Sequence, residues 1–216
     1  GHAGQIKKAV QLLLEAKRPV IYTGGGIIQG DASDDLVVFA RKLNAPVTNT
    51  LMGLGGFPGS DRQYLGMLGM HGNYEANMAM HNADVILALG ARFDDRVTNT
   101  PSKFCPNAKI VHVDIDPASI SKTITADVPI VGPVKSVLED MIRQLDELVQ
   151  KKESVQDANA VTTWWQQIDQ WRDAHGLWTK PRYALDSGLI KPQQVIDTLW
   201  RVTQGEAYLC SDVGQH

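Results

Sequence analysis

Short apolar runs alternate with helix-patterned segments along the first 150 residues, and this alternation constrains the fold more than any other feature of the chain. Ile6, Ala9, Val10, Leu13 and Leu14 recur at helical spacing over residues 5–16, and Pro19-Val20-Ile21-Tyr22-Thr23 then reads as a strand running into a turn at Gly24-Gly25-Gly26. Residues 34–43 carry Leu36, Val37, Ala40 and Leu43 on one helical face, ahead of a second strand at 46–50. A long glycine-rich connection beginning Leu51-Met52-Gly53-Leu54-Gly55-Gly56 leads to a helix at about 73–82 and a strand at Val85-Ile86-Leu87-Ala88-Leu89. Further strands are read at 109–116 and at Ile130-Val131, and an amphipathic helix from Val134 closes the series through Val137, Leu138, Met141, Ile142, Leu145 and Leu148. Strands joined through helices pair in parallel, and a parallel sheet is covered on both faces. The expected fold class is therefore α/β, with a parallel sheet of roughly six strands and helices on both faces over residues 1–150.

Beyond that point the pattern changes. Residues 151–160 have the charged, Gln- and Ser-containing composition of a linker. Trp164, Trp165, Ile168 and Trp171 then stripe a helix, and helical spacing explains them as packing anchors rather than a ligand cage. Residues 151–191 are read as this linker with its Trp-rich helix. Pro192 opens another helix through Val195, Ile196, Leu199 and Trp200, and Ala207-Tyr208-Leu209-Cys210 reads as a strand delivering Ser211-Asp212-Val213-Gly214-Gln215-His216. A strand ending in such a turn ordinarily begins a new α/β unit, so 192–216 is expected to be the truncated start of a second domain.

The charge balance excludes some partners. With 21 basic against 24 acidic side chains and a formal net charge of -3, the 216 residues show no basic excess to support nucleic-acid binding. No apolar stretch approaches the ~20 residues that span a bilayer. The two cysteines, Cys105 and Cys210, lie far apart without metal-ligand spacing and read as free thiols of a reducing compartment. Since the chain opens directly into its first helix, with no charged-then-apolar leader, a cytoplasmic location is expected. There is no internal repeat and no low-complexity tract.

The densest chemistry follows the Val85 strand, in Gly90-Ala91-Arg92-Phe93-Asp94-Asp95-Arg96. A buried strand ending in a glycine turn and two arginines suits an anion beyond the carboxyl end of a sheet. The same charges are also explained if Arg92, Asp94, Asp95 and Arg96 merely pair with one another on a solvated loop. Two flanking segments bear on the choice: Leu68-Gly69-Met70-His71-Gly72, and the strand Lys109-Ile110-Val111-His112-Val113-Asp114-Ile115-Asp116. An acidic residue at a strand end can accept hydrogen bonds from ribose hydroxyls, although Pro117 also marks a simple turn there. His71, between glycines, is open to two readings as well, as a ligand neighbour or as a cap of the helix that follows.

With these segments in order, the chain resembles the large catalytic subunit of the acetolactate synthase (acetohydroxyacid synthase) family nearly end to end. The resemblance rests on Gly24-Gly25-Gly26, Thr50-Leu51-Met52-Gly53-Leu54-Gly55, Leu68-Gly69-Met70-His71-Gly72, Arg92-Phe93-Asp94-Asp95-Arg96, His112-Val113-Asp114-Ile115-Asp116 and Ser211-Asp212-Val213-Gly214-Gln215-His216. It implies a Rossmann-like thiamine-enzyme middle domain that binds FAD, followed by the opening of the thiamine-diphosphate domain. The reaction implied is decarboxylation of pyruvate and transfer of the hydroxyethyl group to a second 2-oxo acid, giving 2-acetolactate or 2-aceto-2-hydroxybutyrate for branched-chain amino acid synthesis. The cofactors implied are FAD, with thiamine diphosphate and Mg²⁺ in the full-length subunit. The partners implied are a large-subunit homodimer and a small regulatory subunit.

Carried over by position, the resemblance puts Gly25 and Gly26 at the FAD diphosphate and Thr50, Leu51 and Met52 along the flavin. Leu68, Gly69, Met70 and His71 resemble the segment beside the isoalloxazine; Gly90, Ala91, Arg92 and Asp94 resemble the turn clasping the cofactor, and Asp114 and Ile115 the adenosine contacts. Asp95 and Arg96 match substrate-channel positions, while Gly214, Gln215 and His216 match residues near thiamine diphosphate. The catalytic acid or base and the metal ligands are expected outside this chain. Pro133 stands where the family has an acidic residue near the adenine, and proline offers neither a carboxylate nor an N–H. The glycine turn also lacks the third spaced glycine of a dinucleotide fingerprint, which disfavours an NAD dehydrogenase. The alternatives weighed are a stand-alone flavin or ADP module, the middle domain of another thiamine-dependent 2-oxo acid decarboxylase, and a sirtuin-like deacylase, whose paired Cys-x-x-Cys zinc ligands are absent.

Overall fold

A computed structural model describes residues 1–151, 155–176 and 188–212. Its sheet comprises β1 (Pro19–Thr23), β2 (Val47–Asn49), β3 (Tyr64–Met67), β4 (Val85–Leu89), β5 (Lys109–Asp114) and β6 (Val128–Val131), in the order β3-β2-β1-β4-β5-β6. Every neighbouring pair is parallel. This is the doubly wound order, in which the chain direction across the sheet reverses beside β1. Every residue of β1 and β4 is buried, as central strands covered on both faces require.

Alternate side chains feed two cores. Ile21, Leu87, Leu89, Val111 and Val113 face the apolar stripes of α1 (Ala3–Glu15), α3 (Ser33–Leu43) and α6 (Val134–Lys151). Val20, Tyr22, Ile86, Ala88 and Ile110 belong to the opposite core, with α4 (Tyr74–Asn82) and α7 (Ala158–His175). The period-2 alternation of the strands and the helical stripes read from the sequence are the two sides of these contacts.

Four details depart from expectation. The glycine turn after β1 is the start of a short helix, α2 (Gly25–Gln29), with Gly24 ahead of it. β3 lies inside what reads as a glycine-rich connection; Gly66, at φ +83°, interrupts its apolar pattern and conceals the strand. Residues 207–210 form no strand: Tyr208, Leu209 and Cys210 are exposed, and no neighbouring strand among the described residues supplies ladder partners. The expected boundary at residue 150 also falls inside a compact unit that runs from Gly1 to Gly176. The reason is α7, whose Val161, Trp164, Trp165 and Ile168 are buried, with the Trp164 indole N–H donating to the Pro19 carbonyl at 3.2 Å.

α7 also guards an edge of the sheet. The Arg172 guanidinium donates to the Arg62 and Tyr64 carbonyls at the start of β3, both at 2.8 Å. Arg62 and Arg172 both stack over the Trp165 ring, at 4.9 and 5.7 Å.

The second unit, residues 177–216, contains α8 (Pro192–Thr203) among its described residues. Pro192 occupies the first helical position, where its missing N–H costs nothing, and the Lys191 amide donates to the Gln194 side chain at 2.8 Å. Two elements complete the chain before β5: a single turn of helix, α5 (Asp95–Thr98), and a 3₁₀ turn at Pro101–Lys103. Among the described residues no helix is long and apolar enough to cross a membrane.

Candidate functional site

Parallel pairing brings the carboxyl ends of β1, β2, β3, β4 and β5 to one edge, and the sequence-selected segments follow those ends in turn. Gly24 to Gly26 follow β1, Thr50 to Met52 follow β2, Leu68 to His71 follow β3, Gly90 to Asp94 follow β4, and Asp114 ends β5. The fold thus assembles at one edge five segments that lie as far as 90 residues apart in the chain. In doubly wound sheets this edge, at the reversal beside β1, is where ligands bind.

Main-chain approach defines the centre of the site. The Gly24 amide donates to the Leu89 carbonyl at 3.0 Å and the Gly26 amide to the Gly90 carbonyl at 3.1 Å, so β1 and β4 stay zipped past their ends. Gly90 has φ +54°, a left-handed conformation that only glycine adopts freely. On the β2 side, the Thr50 amide donates to Thr23 at 2.9 Å, and a 3₁₀ turn at Leu51–Gly53 is capped by the Thr50 hydroxyl. Gly69, at φ +98°, lies so close to the Arg96 carbonyl that a β-carbon would sit 2.6 Å from it. The Met70 amide donates to that same carbonyl at 2.9 Å, which joins the loop after β3 to the turn after β4.

Around this backbone the surface is both apolar and cationic. Leu51, Met52, Met70 and Ile115 are between 64% and 69% exposed, a high value for large apolar side chains. The Arg92 guanidinium meets the Asp94 carboxylate at 3.2 Å, with side chains 74% and 54% exposed. Asp95 and Arg96 approach no closer than 4.0 Å and are equally open. The charged turn therefore does pair within itself, but exposed pairs of this kind contribute about 0–1 kcal/mol, which leaves both guanidinium groups free to exchange partners.

The remaining candidates are placed as follows. His71 is exposed and does not cap the next helix, since Asn73 occupies the N-cap position of α4. Asp114 is 8% exposed, and one of its carboxylate oxygens accepts the Asp116 amide at 2.9 Å. Pro133 precedes α6 and its carbonyl accepts the Val137 amide at 3.1 Å, so it begins that helix. Gly214, Gln215 and His216 lie outside the described residues. Among the described residues no three His, Cys, Asp or Glu side chains come together as a metal site.

Two participants were given no role in the sequence reading, although His112 stands in one of the motifs that carry the resemblance. Tyr22 of β1 donates its hydroxyl to the Arg92 carbonyl at 2.9 Å, and the Nε2 of His112 of β5 lies 3.0 Å from the Ala91 carbonyl. Facing a carbonyl, Nε2 must carry the proton. Burial holds the His112 imidazole below the usual histidine range, against the opposing pull of Asp114 and the Ala91 hydrogen bond. Burial pushes the Tyr22 phenol up, and the Asp94 charge adds to the shift. Both groups are therefore neutral donors near pH 7. The only sequence signal for them was a polar residue in the middle of each buried strand.

Comparison with known proteins fits this fold. Residues 6–141 match the family model described as thiamine pyrophosphate enzyme, central domain. Over all 216 residues the chain is 56% identical to the acetolactate synthase isozyme 3 large subunit of Escherichia coli (strain K12) and 51% identical to the acetolactate synthase large subunit of Haemophilus influenzae, covering 36% of each. Over 215 residues it is 42% identical to the acetolactate synthase of Mycobacterium leprae, covering 33% of it. The chain thus spans about a third of the length of these relatives.

Proposed function

This chain belongs to the thiamine pyrophosphate enzyme central-domain family, and from that premise we propose that it is the FAD-binding middle portion of an acetolactate synthase catalytic subunit. The observation that carries the reading is the coincidence, on one edge, of close glycine backbone, exposed apolar side chains and open arginines. A flavin dinucleotide needs all three: room for a diphosphate against main chain, an apolar cover for a ring, and cations for charge. Gly25 offers the first, beside the Gly26–Gly90 main-chain crossing that floors the site, Leu51, Met52 and Met70 offer the second, and Arg92 the third. Thr50, Leu68, Gly69, His71, Ala91 and Asp94 complete the wall. The free oxygen of Asp114, beside Ile115, suits a ribose hydroxyl.

In this reading Asp95 and Arg96 face the path of a 2-oxo acid. Their loose, exposed pairing leaves the guanidinium able to meet a substrate carboxylate. When bound, thiamine diphosphate supplies the electron sink for loss of CO₂ from pyruvate and for joining the remaining carbons to a second 2-oxo acid. The resemblance assigns Mg²⁺ and the catalytic acid or base to other parts of the full-length subunit. Gly214, Gln215 and His216 are assigned to the thiamine site by resemblance alone. A cytoplasmic large-subunit homodimer with a small regulatory subunit completes the proposal.

Thermal unfolding of the purified chain with FAD, ADP and NAD tests the cofactor assignment. FAD and ADP are expected to raise Tm through selective binding to the folded state. An equal rise with NAD, or none at millimolar FAD and ADP, overturns it. For the activity, the full-length subunit with thiamine diphosphate, Mg²⁺ and FAD is expected to form acetolactate in a colorimetric acetoin assay, while the 216-residue chain stays at the cofactor-only blank. Turnover by the chain alone overturns the division of labour.

A further inference from the structure

We propose that Tyr22 and His112 are positioning residues that preset the Arg92 guanidinium for an anionic group of the bound nucleotide. The proposal rests on the cofactor reading above and concerns residues that lie beneath the site rather than in it.

Register puts the two side chains in one row. Tyr22 is paired with Ala88, and Ala88 with His112, across β1, β4 and β5. The small central Ala88 leaves space that the Phe93 ring uses: its centroid lies 5.5 Å from the Tyr22 ring and 5.1 Å from the His112 ring, edge-on to the latter. Three successive residues of the turn are thereby fixed from below, Ala91 by the imidazole, Arg92 by the phenol and Phe93 by both rings. Tyr22 and His112 are each 0% exposed, so neither touches a ligand itself.

A trans peptide unit points its C=O and its N–H in opposite directions. Drawing the Ala91 and Arg92 carbonyls down toward His112 and Tyr22 therefore turns the Arg92 and Phe93 amides away from those rings. Neither amide finds an acceptor among the described residues. The hydrogen bonds hold the backbone that carries Arg92, so its exposed side chain leaves the turn from a fixed point at the site. A group that is oriented before its ligand arrives spends less ordering entropy on binding.

The His112 imidazole shows the cost of this arrangement. Its Nδ1 is buried without a hydrogen-bond partner. Buried polar atoms are ordinarily paired, so this one marks a ring held in place for the bond its other nitrogen makes.

The test compares ADP with adenosine in calorimetric titrations of the full-length protein and its Tyr22→Phe, His112→Leu and His112→Gln variants. Loss of one preorienting hydrogen bond is expected to weaken ADP roughly 3- to 10-fold in Tyr22→Phe and His112→Leu. Adenosine, which lacks the anion, is expected to bind these variants as it binds the parent. His112→Gln retains a side-chain N–H donor and is expected to keep near-parent ADP affinity. Equal losses for ADP and adenosine would reduce the two residues to general supports of the fold, and unchanged ADP affinity would remove their role; either overturns the inference alone. A parent protein that binds neither ADP nor FAD overturns the cofactor reading and this inference with it.

Discussion

Gly26 and Gly90 meet back to back where β1 and β4 end: a β-carbon on Gly26 would lie 2.7 Å from the Gly90 Cα, and one on Gly90 would lie 2.6 Å from the Gly26 Cα. Both obstacles are main chain and cannot rotate aside. The crossing holds the turn after β4 against the start of α2 and so sets the floor of the candidate site.

Gly90→Ala is accordingly expected to destabilise the fold. Strain at a left-handed φ costs on the order of 1–3 kcal/mol, and the contact with Gly26 adds to it. Urea unfolding of the variant checks this, and a loss of less than about 0.5 kcal/mol, the range of ordinary surface changes, would show that the crossing yields easily.

Arg92→Lys is expected to weaken FAD binding by about tenfold, because a point charge cannot reproduce the planar two-donor fork. Equilibrium titration of FAD into the full-length protein measures it. Unchanged affinity and activity would leave Arg92 with only its exposed partner Asp94.

His112 makes stability depend on pH. Unfolded, its imidazole takes up a proton near the ordinary value of 6.5, whereas burial in the folded chain holds it lower. Between the two values the unfolded chain binds more protons, so unfolding free energy falls as pH drops below about 6.5 and levels off once the folded value is passed. In His112→Gln the slope over this window is expected to shrink, as read from urea midpoints measured between about pH 5 and pH 8.

The two thiols are expected to react at different rates. Cys105 is buried and its thiol is pushed up to about 12 by that burial, while Cys210 is exposed. Near pH 7 a chromogenic disulfide reagent is expected to label one thiol rapidly and the second only on denaturation, since the thiolate is the nucleophile. Two equally fast thiols would contradict the placement of Cys105.

Trp164→Ala is expected to destabilise the first unit by about 3–5 kcal/mol, the usual cost of removing a large buried aromatic. Its indole also donates to Pro19, the first residue of the central strand β1. Circular dichroism melts that showed no change would return α7 to the status of a linker helix.

The central strands were legible in the sequence because they are largely apolar and bounded by glycine or charge. Val85 to Leu89 and Pro19 to Thr23 satisfy that rule, and parallel pairing then assembled the site segments without further information. β3 was concealed because an edge strand needs few apolar residues, and Gly66 broke the pattern of the four it has. The 207–210 segment failed in the opposite sense: its composition suits a strand, but a strand requires a neighbour, which composition does not supply. The docking of α7 was not legible, because a polar approach over residues 151–160 precedes Trp164, which reaches back to Pro19 of β1, and Trp165, which reaches Asn44. The roles of Tyr22 and His112 escaped notice because a polar side chain in a buried strand reveals its partner only in three dimensions.

Arg172 has a consequence for how copies of this molecule can meet. By occupying the Arg62 and Tyr64 carbonyls, it shields the opening of β3 from main-chain pairing with another sheet. A version of the protein ended at residue 150 would lose that guard together with the Trp164 and Trp165 cover. The rim left behind would be unsatisfied backbone beside an apolar patch, the combination from which edge-to-edge aggregation grows. α7 is thus a solubility device as much as a packing element, and associations of the intact chain are directed to its other faces.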